Sequence, residues 1–268
     1  MASSVYSRSG RDDVTIKTKA LVIREYIVGE SDKYVTLFTK DLGKIQALAP
    51  KAKKYSGGLA TGTQLFVYGE FMLTQYKDTY RLLSVDILDM FHDLRKDLFC
   101  LTYSSYIVEF VAAVTEEALV QEELLLLTLI TLKNLSQEEK RLRLVRRIFE
   151  LRALSLLGFM PQIKKCVDCE VFLTETEQTT YDFHVEAGGI LCSNCQKHYI
   201  HTLKISYGTL YTLRYIMATP VERLFKFEVS EQVLKELEHI SEDYRSYYID
   251  KSFKTLDFIS KLHQLEKK

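Results

Sequence analysis

Cys166-Val167-Asp168-Cys169 and Cys192-Ser193-Asn194-Cys195, separated by 22 residues, are the stretch around which the rest of the chain is read. A Cys-x-x-Cys turn points two sulfurs at one centre, and two such turns joined by a short ribbon close a tetrahedral metal cage. The spacing predicts bound Zn2+. A redox Cys-x-x-Cys normally occurs once, at a helix N-terminus after a strand. Here two copies flank a Thr/Glu-rich segment ending in Ala187-Gly188-Gly189. His184, His198 and His201 lie near enough in sequence to replace a thiolate, but a complete four-cysteine set leaves them as surface residues. Four thiolates leave no open position for water, so the expected metal stabilises the fold and performs no chemistry.

With 268 residues, 47% of them hydrophobic, the chain can bury the cores of two domains plus a metal module. Cys100 sits in an apolar helical pattern and reads as a small core residue. The 36 basic and 36 acidic residues cancel, which excludes a globally basic DNA coat and confines any nucleic-acid site to a local patch. Residues 1–14 are polar and Ser/Arg-rich, so a disordered tail is expected there rather than a signal peptide. The greasiest run, 124–132, falls short of the roughly 20 residues a bilayer demands, and the expected location is the cytoplasm.

Alternating, β-branched-rich runs predict five strands over 17–29, 32–39, 45–49, 64–75 and 79–90. Asp41-Leu42-Gly43-Lys44 and Tyr76-Lys77-Asp78 supply the hairpin turns, and the Gly/Lys-rich residues 50–63 read as an irregular connection. Five short strands in one domain predict a small closed barrel, and the oligonucleotide-binding fold is the barrel of that size. From His92 the period becomes helical. Helices are expected over 94–114 and 119–135. Another should start at a Ser136/Glu139 capping box and stop at Gly158 and Pro161, with more over 207–218, 232–247 (capped by Ser230) and 255–265. The expected class is α+β: a disordered tail (1–14), a barrel domain (15–90) and an all-α domain (91–268) carrying a zinc insertion (163–200). No phosphate loop, H-E-x-x-H or G-x-S-x-G elbow appears, so catalysis is not expected.

Lys17-Thr18-Lys19-Ala20-Leu21-Val22-Ile23-Arg24, Gly29-Glu30-Ser31-Asp32-Lys33, Val35-Thr36-Leu37-Phe38-Thr39 and Gly43-Lys44 open the chain, and Phe149-Glu150-Leu151-Arg152 through Leu157-Gly158-Phe159-Met160-Pro161 precede the cysteines. With this order of parts, the chain resembles the RecO family. The resemblance implies a recombination mediator that binds single- and double-stranded DNA and anneals strands. It also implies work with RecR to load RecA onto strand coated by single-strand-binding protein. The family's Gly-Ala-Arg-Lys type segment stands here as Lys51-Ala52-Lys53-Lys54, which keeps charge but loses bidentate geometry. Expected DNA contacts are Lys51, Lys53 and Lys54, extended by Arg24, Lys44 and Arg81, with Tyr26, Tyr34, Phe66, Tyr68, Tyr76 and Tyr80 as aromatic faces. Arg141, Arg143, Arg146 and Arg147 are expected to form a solvent-facing dock for the acidic tail of the single-strand-binding protein. The competing reading is a zinc-ribbon adaptor that binds only proteins.

Overall fold

The computed structural model describes residues 6–9, 13–53, 58–77, 79–136, 141–173 and 180–266. They form two compact units, Met1–Gln137 with Phe253–Lys268, and Glu138–Ser252. The helices that follow the sheet therefore group partly with it, not all in one helical domain.

In the first unit the alternation expected of half-buried strands gives β2 (Asp13–Val28), β3 (Asp32–Thr39), β4 (Gly43–Ala49), β5 (Tyr68–Tyr76) and β6 (Thr79–Asp89). In β4 the odd positions Gly43, Ile45, Ala47 and Ala49 are buried while Lys44, Gln46 and Leu48 point outward. β2 pairs antiparallel with β3, β3 with β4, and β5 with β6; β4 meets β6 in parallel, and β5 returns to β2. The five pairings close into a ring around Val22, Val35, Leu37, Phe71, Leu73 and Leu82.

Three expectations about this region change. Residues 6–9 of the expected tail form β1 (Tyr6–Ser9), because the far edge of the long β2 still offers unpaired backbone groups and takes up Tyr6 opposite Thr15. The connection expected to be irregular contains α1 (Gly58–Gly62), whose Gly62 packs so tightly that an added Cβ would lie 2.8 Å from Val85 Cβ. Residues 64–67 are not strand. Phe66 adopts φ 70°, and its amide instead donates to Val22 O at 3.0 Å, where β2 carries a bulge.

Gly43 is at φ +68°, and a Cβ there would lie 2.4 Å from the Leu119 carbonyl oxygen. Both the left-handed backbone and the backbone contact exclude a side chain. Gly43→Ala is expected to lower stability by about 2–4 kcal/mol, read as a shift of the denaturant midpoint at constant slope; a midpoint within error of the parent would contradict the close approach.

α2 (Leu98–Val114) starts where Asp97 Oδ1 accepts the Cys100 amide at 2.7 Å, four residues after the start expected at 94. α3 (Glu122–Leu135) ends at Ser136, whose hydroxyl donates to Lys133 O. Ser136 therefore closes α3; Glu139, its expected capping-box partner, and the helix start expected beside it lie outside the described residues. α7 (Lys254–Glu266) packs on α2 through Phe253, whose ring lies 5.6 Å from Tyr106 and 5.7 Å from Phe110. The Glu109 carboxylate accepts the Lys254 and Thr255 amides at 3.2 Å and so caps α7.

In the second unit α4 (Leu142–Leu156) ends as expected at Gly158. There the Phe159 amide donates to Leu154 O at 2.9 Å and Gly158 takes φ +94°. α5 (Tyr207–Ala218) and α6 (Glu231–Tyr248) are capped by Ser206 and Ser230. Between α4 and α5 lies a small sheet in the order β8-β7-β9, from β7 (Thr180–His184), β8 (Gly189–Leu191) and β9 (Leu203–Ser206). The cysteine module thus continues to Ser206, past the expected end at 200. Among the described residues no helix is long and apolar enough to cross a membrane.

Candidate metal centre and nucleic-acid face

The first cysteine turn is closed by the Glu170 amide on Cys166 O at 3.1 Å and by the Cys166 amide on Val171 O at 2.9 Å, with Glu170 at φ 60°. The second is closed by the Gln196 amide on Cys192 O at 3.0 Å. The Val167 amide, donating to Ile190 O at 2.9 Å, brings the first turn beside β8 and hence beside the second pair. All four sulfurs lie within 4.8 Å of one another, and Cys169 Sγ is 3.7 Å from Cys192 Sγ. With zinc–sulfur bonds of about 2.3 Å, the edge of a tetrahedron is about 3.8 Å, so the cage has the right size. Amides of Cys192 and Cys195 donate to Cys166 Sγ and Cys192 Sγ, the hydrogen bonds a thiolate accepts. Burial pushes the Cys166 thiol up, but the amides of Cys169, Cys192 and Asp168 outweigh it and bring it down to about 7. His184 is engaged elsewhere: its Nδ1 accepts the Ala187 amide at 3.0 Å and its ring meets Tyr199 edge-on. Among the described residues the cluster consists of the four cysteines, which are positioned to hold a metal ion.

The arginines expected to face solvent as a dock along α4 are turned onto partners within the same unit. Arg141 donates to Phe225 O and Phe227 O. Arg143 holds Glu238 at 2.7 Å and Glu231 at 3.2 Å. Arg146 and Arg147 are 7% and 6% exposed and meet the fully buried Glu150 at 3.0 and 2.9 Å. Arg245 comes within 3.8 Å of the same carboxylate.

On the ring, the strand registers assemble an outward row that no single strand reveals. Tyr26 lies opposite Tyr34, Tyr34 opposite Leu48, and Leu48 opposite Arg81. A second row places Arg24 opposite Thr36 and Thr36 opposite Gln46. Over the first row opens a cleft of about 1350 Å³ lined by Tyr34, Gln46, Leu48, Tyr76, Tyr80 and Arg81. Lys44 also borders it, but its ammonium donates to Ala112 O at 3.1 Å and to Thr115 O, so it closes the C-terminal end of α2. Lys51 and Lys53 are exposed, and their amides donate to Asp32 Oδ1 at 2.8 Å and Ser31 O at 2.9 Å, which holds their loop against the turn before β3. The Asp32 carboxyl is drawn below the usual range, first by the Lys51 amide and the Ser31 hydroxyl and then by the Arg81 and Lys51 charges. Lys54 lies outside the described residues, and Arg24 borders a separate cavity. Of the aromatic candidates, Phe66 is buried beneath the Arg95 guanidinium, Tyr68 is half-buried and Tyr76 is exposed.

Residues 14–91 match the family model described as Recombination protein O N terminal, and residues 95–257 the one described as Recombination protein O C terminal. DNA repair protein RecO of Acetivibrio thermocellus is 37% identical over 94% of this chain and 98% of its own. The proteins of the same name from Alkaliphilus metalliredigens and Caldicellulosiruptor saccharolyticus are each 30% identical, over 92% and 91% of this chain and 99% and 97% of their own. Both halves of the fold and nearly the whole length are thus shared, and the chain belongs to the RecO family.

Proposed function

We propose that the chain is a DNA repair and recombination mediator that binds single- and double-stranded DNA on the outer face of the ring and anneals strands. With RecR, it promotes loading of RecA onto strand covered by single-strand-binding protein. The cleft beneath Tyr34, Tyr76, Tyr80 and Arg81 carries this reading. It offers π-faces on which bases stack and a guanidinium for phosphate, with the exposed Lys51 and Lys53 near the turn before β3. Nothing in it resembles a reading helix in a groove, so binding is tolerant of sequence and dominated by phosphate charge. Membership of a family whose relatives are named DNA repair protein RecO supports the mediator role. The four thiolates hold zinc as a structural ion in the second unit. Capture of the acidic tail of the single-strand-binding protein falls to surfaces other than α4, whose arginines are already matched by carboxylates or carbonyls.

Replacing Lys51, Lys53 and Arg81 together by alanine is expected to weaken binding of unrelated oligonucleotides by similar factors and to reduce the salt slope by about one for each cation in contact with phosphate. Titrations at two salt concentrations read both quantities. An unchanged slope would remove this face from the site.

A further inference from the structure

The outward row continues past the cleft. Tyr34 stacks on Tyr26 across β2 and β3, with ring centroids 5.5 Å apart and planes 27° from parallel, and Gln46 donates to the Tyr26 hydroxyl. Beyond Tyr26 is a second cavity of about 380 Å³, with Ile23, Leu65 and Val108 as its apolar lining and Arg24 beside Tyr26. The bulge in β2 between Val22 and Arg24 sets Arg24 opposite Thr36, on the face that also carries Tyr26. The carboxylates bordering this cavity are already engaged. Glu25 holds Lys33 at 2.6 Å and accepts the Leu65 amide, while Glu109 accepts the first amides of α7. The Arg24 side chain is exposed and has no ion pair or hydrogen bond among the described residues.

We propose that single-stranded DNA lying in the cleft continues over the Tyr34–Tyr26 pair and sets a phosphate on Arg24, with an unpaired base in the cavity beside it. This rests on the cleft being the DNA site. Three strand spacings of about 4.8 Å place Arg81 and Tyr26 about 14 Å apart along the row. That exceeds the reach of one nucleotide, so Arg24 contributes only when the strand is long enough to cross the stacked pair. A duplex cannot place a paired base in the cavity, so the extension favours single strand.

The experiment is a fluorescence titration of oligothymidylates of increasing length, and of one duplex, into the parent, Arg24→Ala, Arg24→Lys, Tyr26→Ala and Arg81→Ala. The parent should gain affinity with length up to a plateau. Arg24→Ala and Tyr26→Ala should plateau at a shorter length and bind the longest strands about tenfold more weakly, with a smaller loss on the shortest strands and on duplex. Arg24→Lys should restore the salt slope that Arg24→Ala lowers by about one. If the parent and Arg24→Ala share one length dependence while Arg81→Ala weakens every length, the extension is wrong and the cleft stands. If Arg81→Ala also leaves binding unchanged, the cleft reading fails and the extension with it.

Discussion

Purified chain prepared without chelator is expected to contain one zinc ion, and removing it is expected to unfold the cysteine module. The reason is quantitative. The site is built from two turns whose sulfurs converge within 4.8 Å, and Leu191, Val167 and Tyr199 pack directly against them. Metal binding to four thiolates contributes an apparent 10–16 kcal/mol or so at neutral pH, more than the whole stability of a typical domain. Without the ion, hydrogen bonds such as those of the Val167 amide to Ile190 O and of the Cys192 amide to Cys166 Sγ must hold the two turns together in its place. Cys192→Ser should therefore lose metal and, with it, the protection of the β8 amides against hydrogen exchange. Elemental analysis gives the stoichiometry and exchange locates the loss. Metal-free protein that keeps full protection at Ile190 and Leu191 would show that the ribbon folds without the cage.

Glu150→Ala should be the most damaging single change outside the cysteines. The Glu150 side chain is fully buried and faces the guanidinium groups of Arg146, Arg147 and Arg245, so its removal takes away the one buried carboxylate that all three meet. Breaking a buried pair in this way costs about 3–5 kcal/mol, far more than an exposed ion pair contributes. A double change of Glu150 and Arg146 to a matched apolar pair should recover part of the loss, since fewer buried charges then remain unmatched. Denaturant unfolding of the parent and both variants measures this. A Glu150→Ala midpoint close to the parent's would mean that solvent reaches the three arginines.

The same residues show how far the sequence could be read. Arginines spaced three to four apart on α4 suggested one solvated face, yet α4 is buried on most of its circumference and its charges are matched inside. The signal was present: Glu150 follows Arg146 by four positions and Arg147 by three, the spacing of helical ion pairs. What the sequence does not carry is burial, which depends on Arg245 and Glu238 arriving from α6. Lys44 teaches the same lesson, because its partners are carbonyls at the C-terminal end of α2, 68 and 71 residues on. The cysteine pairs were legible because the geometry of each turn is local. The strands were legible because a period of two is local too, but closure of the ring and the Tyr26–Tyr34–Leu48–Arg81 row depend on register between strands.

The return of α7 to the first unit gives the chain a particular order of assembly. The segment that completes this unit, Phe253–Lys268, is separated from the rest of it by every residue of the second unit. During synthesis from the N-terminus, the aromatic face of Tyr106 and Phe110 and the capping carboxylate of Glu109 are made long before Phe253 and the amides they receive. Until then that face stays open to water or to other chains. The large loop closed by docking α7 adds only a logarithmic entropic cost, so the docked state is accessible at equilibrium even though it is reached last. The newborn protein thus passes through an interval in which its first-made unit is the one left incomplete.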